Sequence, residues 1–115
     1  MNLNEKVALV TGATRGIGAA IAEALGKAGA TVIGTATSEA GAATISQRLA
    51  ESGVSGTGMV LNVTDAESVA SVIKVITEQF AAPTILVNNA GITKDNILMR
   101  MKDDEWMDVL DTNLT

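Results

Sequence analysis

Apolar residues recur along this chain in two rhythms, one short and continuous, the other spaced by three and four. Residues 6–10, KVALV, hold four apolar side chains in five between a polar start and a glycine turn, the pattern of a short strand covered on both faces. From Gly16 the period lengthens. Ile17, Ile21, Ala24, Leu25 and Ala28 fall on one stripe of an amphipathic helix, and Gly29 is a natural stop. Residues 31–35 predict a second strand, and residues 39–52 a second helix with Ile45 and Leu49 facing inward. After a glycine-rich loop, residues 59–61 make a third strand. Asp65 or Thr64 then caps a third helix, striped by Val69, Val72, Ile73, Ile76 and Phe80. Beyond Pro83, residues 84–87 form a fourth buried strand. A further helix is predicted to start near Asp103, with Trp106, Val109, Leu110 and Leu114 along one side.

Strands alternating with helices, each connection long enough for a crossover, predict a Rossmann-type α/β fold. It is a doubly wound parallel sheet of order 3-2-1-4 in three α/β/α layers. In that arrangement the first and fourth strands part at a switch point. The glycine loop, Thr37, Asn62 and Asn89 all follow strand carboxyl ends, where such sheets bind ligands.

The turn between the first strand and helix reads TGATRGIG, Thr11 to Gly18, with glycines at Gly12, Gly16 and Gly18. A strand entering a helix through three glycines lets the backbone approach a phosphate, while the first-turn N–H groups and the helix dipole face the anion. Taken alone, such a turn is also compatible with a tight loop that binds nothing. A Walker-type loop is excluded, because Gly18 is followed by Ala19 and Ala20 rather than Lys and Ser or Thr. At the end of the second strand, where an acid would bond the adenosine ribose and repel a 2′-phosphate, the chain reads Thr35, Ala36, Thr37, Ser38. The nearest carboxylate is Glu39. Hydroxyls there and the Arg15 cation favour NADP over NAD. The competing roles are a solvated loop cation for Arg15 and a helix N-cap for Thr37 or Ser38.

Three asparagines carry further expectations. Asn88 either ties neighbouring strand ends or touches ligand, whereas Asn89, followed by small Ala90 and Gly91, suits close approach of a cofactor. Asn113, on the apolar side of its helix, must be hydrogen-bonded and either kinks that helix or holds a water near the site. Lys94, Arg100 and Lys102 fit ordinary solvated charges better than a docking face for an acidic partner.

Composition narrows the chemistry. The 115 residues suffice for one domain. With no cysteine and no histidine the chain offers no disulfide framework, no thiolate or imidazole metal site and no histidine base. Metal binding is not expected. A net charge of −5 argues against nucleic acid as a partner. The polar start and the lack of a long apolar run predict no leader and no membrane span, and so a cytoplasmic protein.

The combination of Thr11-Gly-x-x-x-Gly-x-Gly18, Asn88-Asn-Ala-Gly91 and Asn113 resembles the short-chain dehydrogenase/reductases over the whole chain. Within that family, residues 35–39, 61–65 and 88–106 are similar to the bacterial ketoreductases of dissociated fatty-acid synthesis. The resemblance implies NADPH-dependent reduction of a 3-oxoacyl chain on acyl carrier protein to the 3-hydroxyacyl product, by a homotetramer. Other short-chain ketoreductases and a non-catalytic NADP-binding module are the alternatives. It further implies that Gly12, Ala13, Thr14, Arg15, Gly16, Ile17 and Gly18 hold the phosphates. Thr37 would lie by the adenosine phosphate, Asn62 and Val63 by the adenine, and Asn89, Ala90 and Gly91 along the ribose. Asn113 would be the asparagine of the proton relay. The relay's serine and its tyrosine and lysine find no counterpart, and the chain contains no tyrosine. Residues 1–115 are therefore expected to be the N-terminal, cofactor-binding part of a single domain, truncated, inactive alone, and with an open apolar edge on the fourth strand.

Overall fold

A computed structural model of the chain describes residues 2–89, 96–101 and 105–110. Strand β1 (Val7–Val10) is buried at all four positions. It lies between β2 (Thr31–Ala36) and β4 (Ile85–Asn88), parallel to both, and β2 is in turn parallel to β3 (Gly56–Val60). Helices α1 (Gly16–Lys27), α2 (Glu39–Glu51) and α3 (Ala66–Gln79) fill the three crossovers. The order β3-β2-β1-β4 is the one predicted from the alternation of elements.

Alternate residues of β1 sort the core into two layers. Ala8 and Val10 join Ile21 and Leu25 of α1 and Ile45 and Leu49 of α2 on one face. Val7 and Leu9 join Val72 and Ile76 of α3 on the other. Successive strand side chains point to opposite faces, so a run that is apolar throughout can only be satisfied by helices on both sides. The result is the expected three-layer α/β/α arrangement.

Two helix stripes differ in detail from their predicted form. In α1, Ala24 is exposed, whereas Gly18, Ala19 and Ala22 are buried beside Ile21 and Leu25. Small residues let the helix lie close to the sheet, which widens the contact around the larger side chains. In α3 the buried line narrows to Val72 and Ile76, leaving Ile73 37% and Phe80 42% exposed. Phe80 is the C-cap, at φ −126° and ψ −85°, so the helical phase that placed it on the stripe ends before it.

The sheet continues beyond β4. Strand β5 (Asn96–Met101) pairs antiparallel with β4, and β6 (Glu105–Leu110) antiparallel with β5, giving the order β3-β2-β1-β4-β5-β6. Two expectations are corrected here. Residues 105–110 form a strand, not the first turns of a helix, and the outer edge of β4 is paired rather than open. An unpaired strand edge presents a row of N–H and C=O groups, and an antiparallel ribbon supplies partners for them. Within residues 105–110, Trp106, Val109 and Leu110 are too few to impose a helical period, and Trp and Val suit a strand. Ala90, Gly91, Lys94, Lys102, Asp103, Asn113 and Leu114 lie outside the described residues.

Candidate functional site

The glycine loop leaves β1 pinned on both sides. The Thr11 N–H donates to the Val87 carbonyl of β4 at 3.0 Å, and two residues later the Ala13 N–H donates to the Thr35 carbonyl of β2 at 3.0 Å. The loop therefore stands over the carboxyl ends of three adjacent strands. Gly12 and Gly16 have φ of 62° and 64°, in the left-handed region that glycine enters without steric cost. Gly18 is needed for contact rather than for conformation. A Cβ there would collide with the Gly12 carbonyl oxygen and lie 2.8 Å from Asn89 Nδ2.

Helix α1 begins differently from its two neighbours. Ser38 caps α2, its Oγ accepting from the Gly41 N–H at 3.1 Å, with Glu39 in the first turn. Asp65 caps α3, its Oδ1 accepting from the N–H groups of Glu67 at 3.0 Å and Ser68 at 3.4 Å, with Glu67 in the first turn. Arg15 occupies the N-cap of α1, makes no side-chain cap bond, and no acid follows in the first turn. The positive end of α1 thus lacks the negative groups that the other two helices carry. A Cβ on Gly16 would meet nothing within 4 Å, so the approach to that helix end is open. An anion with oxygen acceptors fits there.

Beside the loop is a cavity of about 220 Å³. Its walls are Gly12, Thr14 and Arg15 from the loop, Thr35, Ala36 and Thr37 from the end of β2, and Leu61 and Val63 after β3. Arg15 is the one charged residue among them. Whole small-molecule sites run from about 300 Å³ upward, so this volume suits one end of a dinucleotide.

The structure brings together Gly12, Thr14, Arg15, Thr37 and Val63 from the predicted set, and it assigns other work to several of the rest. The N–H of Ala13 is spent on β2. Ile17 packs against the core, and Gly18 is buried. Asn62 Oδ1 accepts from the Thr64 N–H at 3.0 Å and the Thr64 hydroxyl at 2.7 Å, closing a local turn. Asn88 Oδ1 accepts from the Thr11 hydroxyl at 3.2 Å, and Asn89 Nδ2 donates to the Gly12 carbonyl at 3.1 Å. Both asparagines tie β4 to the loop region across the point where β1 and β4 part. Ser38 takes the N-cap role that was its alternative. Thr35, Ala36 and Leu61 were missed as cavity walls, although they directly precede Thr37 and Asn62 in the chain. Arg48 was missed as well: its Nη1 donates to the Thr14 carbonyl at 2.5 Å. Its only trace in the sequence is its place between Ile45 and Leu49, beside the inward stripe of α2.

Among the described residues no helix is long and apolar enough to cross a membrane, and no group of three His, Cys, Asp or Glu could hold a metal.

A glycine loop at the split of a doubly wound sheet, opening on an uncapped helix end, is the arrangement of a dinucleotide-binding enzyme. The chain belongs to the short chain dehydrogenase family, whose sequence model matches residues 6–115, a family of oxidoreductases that work with a nicotinamide cofactor. It is 64% identical over 115 residues to the 3-oxoacyl-[acyl-carrier-protein] reductase FabG of Vibrio cholerae. Identity is 60% over 114 residues to that of Pseudomonas aeruginosa and 60% over 115 residues to that of Escherichia coli. These alignments take in 99–100% of this chain and 46% of each relative, so the chain spans about half the length of the curated relatives it matches.

Proposed function

We propose that these residues form the cofactor-binding half of an NADPH-dependent reductase that converts 3-oxoacyl-acyl carrier protein to the 3-hydroxyacyl product in fatty-acid synthesis. The observation that carries the cofactor reading is the start of α1, uncapped, without an acid and open to solvent beside a cavity whose only charge is Arg15. The pyrophosphate would lie against the loop and the first-turn N–H groups of α1. The adenosine end would occupy the cavity, with Arg15 and Thr37 at the 2′-phosphate and Val63 and Asn62 beside the adenine. With no carboxylate at the end of β2, nothing there repels that phosphate. Asn89, with Ala90 and Gly91, would line the ribose. The substrate reading rests on the names of relatives that are 60–64% identical over nearly all of this chain.

When bound, the reduced nicotinamide supplies a hydride for the carbonyl carbon. The residues described here bind and orient. They offer no acid suited to protonating the carbonyl oxygen, and the chain has no tyrosine. That proton would come through a relay in which Asn113 holds a water, with the acid outside these 115 residues. The 115-residue chain alone is accordingly expected to be inactive. Acyl carrier protein is the proposed partner, and a tetramer in the cytoplasm the proposed assembly and location.

Turnover of the full-length protein tests this reading. With a 3-oxoacyl thioester, NADPH should be oxidised in proportion to 3-hydroxyacyl product, and NADH far more slowly. Comparable rates with NADH would remove the 2′-phosphate assignment. Reduction of unrelated ketones in place of the thioester would move the protein to another branch of the family.

A further inference from the structure

The glycine loop is gripped from α2 as well as from the sheet. At the start of α2, Gly41 lies against the loop: a Cβ on it would sit 2.7 Å from Ala36 Cβ and 3.2 Å from Thr14 Oγ1. Two turns later the Arg48 side chain, half-buried, donates from Nη1 to the Thr14 carbonyl oxygen. Helical side chains lean toward the N-terminus of their helix, so an arginine at this position naturally reaches back to the loop. Among the described residues the only ion pair is Lys27 with Glu23, so no carboxylate shares the Arg48 guanidinium.

The atom that Arg48 holds matters because of its place in the backbone. The Thr14 carbonyl and the Arg15 N–H belong to one planar trans unit, and fixing the first aims the second in the opposite direction. Arg15 is also the N-cap from which α1 starts. Neither α1 nor the loop supplies a side-chain cap at this junction. Arg48 does not line the cavity.

We propose that Arg48 is a positioning residue of the nucleotide site, acting from α2 through the Thr14–Arg15 peptide to set the geometry of the glycine loop and the start of α1. The role in binding rests on the nucleotide reading above; the clasp itself does not. A charge-assisted bond to a carbonyl is strong enough for its loss to be read directly. Because the loop backbone would serve both dinucleotides, loosening it should weaken both to a similar degree.

The test uses full-length protein carrying Arg48→Met, which keeps the aliphatic stem, and Arg48→Lys, which keeps a cationic donor. Amide hydrogen exchange over residues 12–18, measured without cofactor, should quicken by about tenfold in Arg48→Met and by less in Arg48→Lys. The Kd values for NADPH and NADH should both rise by about tenfold in Arg48→Met, with Arg48→Lys recovering most of the loss. Unchanged exchange would overturn the clasp, and unchanged affinities would overturn the positioning role. A loss confined to NADPH would also overturn it, because that result assigns Arg48 to the phosphate directly. If the unmodified protein bound neither dinucleotide, the nucleotide reading would fall together with the role in binding, while the exchange data would still decide the clasp.

Discussion

At Gly18 one added methyl group would run into the Gly12 carbonyl oxygen and press on the Asn89 amide, which itself donates to that oxygen. The collision is with backbone, so it can be relieved only by moving the start of α1 away from the loop. Gly18→Ala should therefore cost about 1–3 kcal/mol of stability, measured by urea unfolding of the full-length protein, and should weaken NADPH at the same time. Full stability with intact binding would show that the loop does not need this contact. The requirement for glycine was legible in the spacing of Gly12, Gly16 and Gly18, because turn conformation and close approach are local demands. The bond from Arg48 to Thr14 was not, since it joins residues 34 apart and depends on how α2 sits over the loop.

Among elements, the three helices differ in how they begin. Ser38 and Asp65 close α2 and α3 with side-chain oxygens, whereas α1 opens without one. Ser38→Ala should lower stability by about 1 kcal/mol. Arg15→Asp should do the reverse, gaining about 1 kcal/mol by supplying the missing cap while placing a carboxylate where the 2′-phosphate would lie. Denaturation and NADPH titration on the same sample check the pair. A gain in stability with undiminished NADPH affinity would rule out an anion at this helix end. The caps of α2 and α3 were readable because Ser and Asp stand where their helical periods begin. Strands β5 and β6 were not, because the pull of an open β4 edge is absent from the local pattern of residues 96–110.

At the scale of the whole fold, the sheet divides the core of the described residues into two separate clusters. Ile45 belongs to the layer under α1 and α2, and Ile76 to the layer under α3, and both are almost fully buried. Ile45→Val and Ile76→Val should each cost about 0.5–1.5 kcal/mol. Lying in separate clusters, the two losses should add to within about 0.5 kcal/mol in the double variant, measured by chemical denaturation. A larger departure from additivity would mean that the sheet transmits packing strain between its faces.

The order of the first seven elements, the two-sided burial of β1 and the glycine turn between β1 and α1 followed from sequence alone. Each is dictated by periodicity or by conformational demands that act over a few residues. Only the tertiary structure decided which groups of the loop are already committed. The Ala13 N–H goes to β2, the Gly12 carbonyl to Asn89 and the Thr14 carbonyl to Arg48, while the first turn of α1 keeps no side-chain cap. Those bonds join positions far apart in the chain, so they are settled by which segments the sheet and helices bring together rather than by any local pattern.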